Sequence, residues 1–220
     1  METWVDKVLF IPVLLFSIII HECSHGVAAY HSGDPTAKMM GRITLNPIPH
    51  IDIMGSIIVP LLFLLTPTNI LFGWAKPVPV NPAYFRNRKR DEIIVSAAGP
   101  ASNIALSLIF LVFTIVTIAL FQGLHFSPVF IQRYFNVMAS GMIINLVLAF
   151  FNLIPIPPLD GSHILENILP PGGHEFMARL QPYGFLILLI IIMVPQFIQI
   201  AYWPVKIVWH LYAVILRMFL

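Results

Sequence analysis

An apolar run of membrane length, Val8 to Tyr30, opens this chain and constrains the rest of its fold. A helix needs about 20 mostly apolar residues to cross bilayer hydrocarbon, and this run supplies them. Inside it lies His21-Glu22-Cys23-Ser24-His25. Ionisable side chains in a membrane span are costly, face the protein interior or a wet cavity, and mark functional sites. A helix sets His21 and His25 on one face, one turn apart. Two imidazoles at that spacing reach one zinc ion, with Glu22 beside them as a candidate general base for a metal-bound water. Two satisfied core histidines are the plain alternative. The apolar setting weighs against it, because burying three such groups without a task is expensive.

Composition supports the membrane reading. Hydrophobic residues make up 58% of the 220 and charged residues 10%, against about 25% charged in ordinary soluble domains. The expectation is an all-α polytopic membrane protein, residues 1–220 forming a single membrane-embedded domain. A net charge of +2 is too small to suggest nucleic-acid binding. The single cysteine, Cys23, excludes an internal disulfide. Helical spacing turns it away from the face shared by His21 and His25, so it reads as packing. The N-terminus lacks a basic region and a small-residue cleavage site: Glu2 and Asp6 outnumber Lys7. It reads as a retained helix and not as a signal peptide.

Beyond this helix the chain divides at its Gly and Pro positions. His31 to Thr36 carries both and stops the first helix. Gly41-Arg-Ile-Thr-Leu-Asn-Pro47 alternates polar and apolar residues and predicts a short strand. Segment two, Ile53 to Phe72, is broken by Gly55, Pro60 and Pro67. Ala75 to Pro82 is held extended by its prolines. Segment three runs from about Asp91 to Phe121 and segment four from about Tyr134 to Phe151. Pro155, Pro157 and Pro158 force the backbone to unwind after Asn152. A short helix is expected over Ser162–Leu169. Segment five starts near Tyr183 and bends or ends around Pro195, and Pro204 to Leu220 spans or lies along the interface. This gives five to six transmembrane or re-entrant helices with a short membrane-associated β segment.

Arg86, Arg88, Lys89 and Arg90 form the densest basic cluster and predict a cytoplasmic loop. If segments three and four each cross once, the stretch Asn152 to Gly161 returns to that side. Bringing the histidines to it makes segment one run from outside to inside. Segment two then makes an even number of crossings, dipping in and returning.

Two histidines leave a catalytic zinc one protein ligand short. Asp160, on the proline-broken stretch, is the favoured candidate; spacing alone leaves ligand and helix N-cap equally open. His163 and Glu166 are rivals one turn apart, better read as an exposed polar face. His50 and Asp52 read as structural, Asp52 through turn bonding. His174 and Glu175 read as solvent-facing.

The chain resembles the site-2 proteases, intramembrane zinc metalloproteases of peptidase family M50. The resemblance rests on His21-Glu22-Cys23-Ser24-His25 together with Asn152, Pro155 and Leu159-Asp160-Gly161 in this order. Gly99-Pro100 with Asn103 adds a third match. Gly41 to Pro47 and Gly73 to Val80 resemble the small prokaryotic branch; no PDZ domain or CBS pair is expected. The resemblance implies one zinc ion held by His21, His25 and Asp160, with Glu22 as catalytic acid/base. It implies cleavage within or near transmembrane segments of membrane-anchored substrates. Partners are then a transmembrane protein or peptide substrate and membrane lipid, and the location a prokaryotic cytoplasmic membrane with the site toward the cytoplasm. Asn103 and Asn152 match motif positions and are candidates to bond the oxyanion or the substrate backbone; helix-to-helix bonding is the alternative for each. Ile43 to Leu45 could pair with unwound substrate or form an internal hairpin.

Two other function classes compete. A metal carrier or transporter would show paired halves or repeated broken helices, and no repeat is evident. An inactive protease-like binder would lack the glutamate or a ligand, and all are present.

Overall fold

The computed structural model describes residues 4–59, 74–121 and 126–219. Three long helices form its frame: α1 (Trp4–Ser32), α3 (Arg88–Phe121) and α4 (Pro128–Asn152). Between the first two lies the single turn α2 (Thr36–Met39). After α4 come α5 (Asp160–Ile168), α6 (Pro171–Leu180), α7 (Gly184–Met193), α8 (Pro195–Ala201) and α9 (Trp203–Arg217). The long helices pack on one another pairwise, α5 packs on α3, and α9 packs on α4. Leu111, Met142, Leu146, Val205 and Tyr212 form the buried apolar core that joins α3, α4 and α9.

The polarity of this bundle is inverted relative to a water-soluble one. Leu108, Ile109, Val112, Phe113, Val116 and Leu120 of α3 face outward. Ser17, Asn103, Ser107 and Asn145 are fully buried at 0% exposure. Apolar side chains outside and hydrogen-bonded polar ones inside is the arrangement hydrocarbon surroundings demand. Leu9–Ser32, Arg88–Phe121 and Pro128–Asn152 are each long and apolar enough to cross a membrane.

The end of α1 shows why the chain turns where it does. Gly33 has φ +110°, Asp34 N–H donates to Ala29 O and Gly33 N–H to Tyr30 O. This is a glycine-dependent helix stop that satisfies the last carbonyls. A side chain at Gly33 would meet Tyr84 O at 2.9 Å, so the turn also makes room for a returning loop. Asp34, fully buried, accepts from Thr36 N–H, Thr36 Oγ1 and Asn81 N–H, and Arg86 N–H donates to Ser32 O. The exit of α1 and the entry of α3 are therefore tied together.

Several expectations change. The strand over Gly41 to Pro47 does not form: Ile43–Leu45 are bends, and no strand occurs among the described residues. Asn46 N–H donates to Thr44 Oγ1 and Ile48 N–H to Asn46 Oδ1, so local side-chain bonds compete with a ladder here. Helix α4 begins six residues before the predicted start, because Ser127 caps it by accepting from Phe130 N–H, with Pro128 at the first position. Segment five is divided at Val194, and α9 has 15 residues, about 22 Å of helix against about 30 Å of hydrocarbon. Three helices of spanning length are found among the described residues. Most of segment two, residues 60–73, lies outside them.

Candidate metal centre

Three elements build the centre. Helix α1 brings His21, Glu22 and His25, the first half of α3 lies behind the imidazoles, and the first turn of α5 brings Asp160. The prolines after α4 make the link to α5 irregular, with a cis bond between Pro157 and Pro158. Gly161 then seats the start of α5 on the end of α4; a side chain there would collide with the carbonyl of Leu153. Leu159 takes the cap position and Asp160 the first helical one, with no side-chain cap bond. The carboxylate is thus free to face α1, and the N-cap alternative does not apply.

His21 Nε2 lies 3.2 Å from Asp160 Oδ2, His25 Nε2 lies 3.4 Å from Asp160 Oδ1, and the two Nε2 atoms are 3.1 Å apart. The other ring nitrogens fix what these atoms are. His25 Nδ1 is 2.7 Å from Val95 O, and His21 Nδ1 is 2.6 Å from Asn103 Oδ1. A carbonyl oxygen only accepts, so each Nδ1 donates, and in the neutral imidazole the free lone pair then sits on Nε2. Asp160 Oδ2 is buried without a hydrogen-bond partner. Two nitrogen lone pairs and a carboxylate therefore converge with nothing between them to donate. Such a set requires a cation, either a shared proton or a metal ion. Tetrahedral zinc with bonds of about 2.0–2.2 Å sets its ligand atoms about 3.3–3.6 Å apart. The observed separations lie within a few tenths of an ångström of that, and His21, His25 and Asp160 are the one such group found among the described residues.

The group opens on a cleft of about 730 Å³ walled by Ile18, Val95, Leu148, Phe151, Pro158 and Leu188. Glu22 lines it beside the histidines, and its Oε2 accepts from Val78 N–H at 2.8 Å. Val78 belongs to the extended strap 74–80, whose carbonyls at Lys76 and Pro77 accept from the buried Arg42 guanidinium at 2.8 and 3.2 Å. A family model for peptidase family M50 matches residues 9–195. The chain belongs to peptidase family M50.

Relatives agree along most of this M50 chain. A Bacillus subtilis protein named "Putative zinc metalloprotease YwhC" is 36% identical over 202 residues, covering 86% of each chain. A Mycolicibacterium smegmatis protein named "Putative zinc metalloprotease Rip2" is 30% identical over 203 residues, 89% of this chain and 72% of its own. The Mycobacterium tuberculosis protein of the same name is 30% identical over 200 residues, with the same two shares. No solved structure matches.

The other candidates separate cleanly. His163 is exposed at the cleft wall, and Glu166 faces His174 at 3.4 Å on the surface. Glu175 pairs loosely with Arg179 at 3.9 Å. Asp52 accepts from Gly55 N–H at the head of the π-helical turn Ile53–Ile58, and His50 lies 3.0 Å from Thr44 O. Cys23 donates to Thr44 O, away from the imidazoles. Asn152 lines the cleft, with one amide hydrogen donated to Leu148 O. Asn103 does not reach the cleft: it is fully buried behind His21, so the geometry gives it no path to an oxyanion.

Two features were not legible as site residues. Gly99 lies directly against both rings; a side chain there would sit 2.6 Å from His21 Cε1 and Nε2 and closer still to His25 Nε2. The second is the Val95 carbonyl that orients His25, which no side-chain reading could point to.

Proposed function

We propose that this chain is an intramembrane zinc metalloprotease that hydrolyses peptide bonds within or near transmembrane segments. One observation carries the reading: the lone pairs of His21, His25 and Asp160 converge beside Glu22, in a cleft on a helix of spanning length. The residues fit zinc by donor type and by separation. Zinc bound there supplies a Lewis acid and lowers the pKa of water to about 7.

His21 and His25 act as neutral donors and Asp160 as the anionic one. Glu22 accepts the proton of the attacking water as its oxygen bonds to the scissile carbonyl carbon. It delivers that proton to the amine nitrogen as the carbon–nitrogen bond breaks. Val78 N–H holds one Glu22 oxygen and so fixes the carboxylate in the cleft. Asn152 lines the cleft, has a second amide hydrogen beside the one given to Leu148 O, and is the candidate donor to the substrate carbonyl. A helical substrate has its carbonyls bonded internally, so it must unwind before attack. The apolar cleft wall suits such a segment.

Loop bonding supports a cytoplasmic site. Trp74 N–H donates to Gly55 O and Lys76 N–H to His50 O, so the described residues on either side of 60–73 are tied together. Arg86 N–H donates to Ser32 O, so the basic cluster lies by the end of α1, and the positive-inside rule favours the cytoplasm for that end.

The test uses purified wild type and Glu22→Gln reconstituted with a transmembrane peptide. Both should hold about one zinc by elemental mass spectrometry, and only wild type should cleave. Turnover by the variant would remove Glu22 as proton carrier. Absence of zinc from wild type after metal is added back would end the metalloprotease reading.

A further inference from the structure

We propose that Asn145 is a positioning residue: acting through Asn103, it fixes which nitrogen of His21 is offered to the metal. The inference rests on the metal reading above. Its basis is a closed set of hydrogen bonds between α1, α3 and α4 in which every hydrogen has one possible place.

The order starts at backbone carbonyls, which only accept. Asn145 Nδ2 lies 2.8 Å from Gly141 O and 2.9 Å from Ser17 Oγ. Ser17 Oγ donates its only hydrogen to Val13 O at 2.8 Å, so it accepts from Asn145. Both amide hydrogens of Asn145 are thus committed, and its oxygen faces Asn103. Asn103 Nδ2 donates to that oxygen at 2.8 Å and to Ser17 O at 3.2 Å. Both of its hydrogens are then committed too. Its remaining oxygen faces His21 Nδ1 at 2.6 Å and accepts from it. His21 is left with a bare Nε2, directed at Asp160 and His25.

Ser17, Asn103 and Asn145 are all at 0% exposure, so no water competes for these bonds. If the Asn145 oxygen is removed, one of the two constraints on the Asn103 amide is lost. The amide can then turn to present its NH₂ group to His21 Nδ1. That favours the other tautomer, with hydrogen on Nε2, where it blocks metal binding. A set of bonds serving only to hold helices together has no reason to end on a metal-facing imidazole with a defined polarity.

The test compares zinc affinity, by chelator competition on purified protein in detergent, for wild type, Asn145→Leu and Asn145→Leu with Asn103→Asp. Leucine matches the size of asparagine and makes no hydrogen bond. Aspartate at 103 has no NH₂ group to present to His21, whichever way it turns. The expected result is about a 10–100-fold loss for the single variant, the usual range for a ligand's supporting partner. The double variant should recover to within about threefold of wild type. A purely structural role predicts the reverse, since the second change adds a buried charge. Wild-type affinity in Asn145→Leu, or no recovery in the double variant, overturns the proposal. Nitrogen NMR of ¹⁵N-histidine wild type, with His21 assigned by His21→Ala, needs no Asn145 variant to fold. Hydrogen on Nδ1 is expected, and hydrogen on Nε2 alone overturns the proposal. A wild type that binds no zinc would instead strike at the metal reading itself.

Discussion

Gly99→Ala is the sharpest single test of how the helices shape the centre. The new methyl would sit 2.6 Å from His21 Cε1 and Nε2, and closer to His25 Nε2. Ordinary contact begins near 3.4 Å, so the His21 ring must retreat by about 0.8 Å and the His25 ring by about 1 Å, or α1 and α3 must part by as much. Metal sites tolerate errors of about 0.2 Å in ligand distance, so a shift several times larger removes the fit. The stability effect should be much smaller. Overpacking costs about 1–3 kcal/mol, and α3 and α1 have room to adjust along lipid-facing surfaces. Alanine favours a helix over glycine by about 1 kcal/mol, though Pro100 reduces that gain by disfavouring helix at the residue before it. The variant should therefore fold, melt near the wild-type temperature, and lose zinc by about 100-fold or more in affinity. Elemental analysis and a thermal melt on the same sample read both numbers. Full zinc occupancy in a folded Gly99→Ala protein would refute the reasoning, because the imidazoles would then not be where the close approach of α3 requires.

Three further outcomes concern the loops. Burial raises the Asp34 carboxyl, but bonds from Thr36 and Asn81 outweigh it and hold the group below its ordinary value. A lowered folded-state pKa gives stability above the unfolded value, near pH 4, that is lost as pH falls through the folded one. Asp34→Asn should cost about 1–3 kcal/mol at pH 7 and flatten the acid side of a melting-temperature profile. In a Cys23→Ala background, single cysteines at Thr36 and Asn87 should label from the same side of sealed vesicles; opposite sides would break the topology. Arg42→Leu leaves the carbonyls of Lys76 and Pro77 without their donor and should raise proteolytic nicking within 74–80, with intact resistance counting against the clamp.

Legible in the sequence was whatever depended on local spacing and on chemistry costly to bury. The apolar run around His21 and His25 is helix, and one face of it holds both imidazoles. The proline break after Asn152 does deliver Asp160 to them. Hidden in it was whatever depended on partners distant in the chain. Asn145 is two turns before Asn152 and reads as an ordinary interior asparagine until α1 and α3 are set against it. Ser17 shares a face with His21, four residues on, yet its role needs Asn145. Gly99 stood in a motif, but only the approach of α1 shows that its missing side chain is what matters. The strand over Ile43 to Leu45 failed for a local reason, the side-chain bonds of Thr44 and Asn46, which alternation alone does not register.

The strap over Glu22 is also a guarded edge. Lys76 and Val78 turn their N–H groups inward, to His50 O and to Glu22, while Pro77 and Pro79 carry no N–H at all. The strap thus has donors on one side and, at its proline positions, only acceptors on the other. Stray extended backbone finds little there to zip onto, as at natural sheet edges guarded by proline. For a protein proposed to pull helices into bare backbone, this is protection against its own working material.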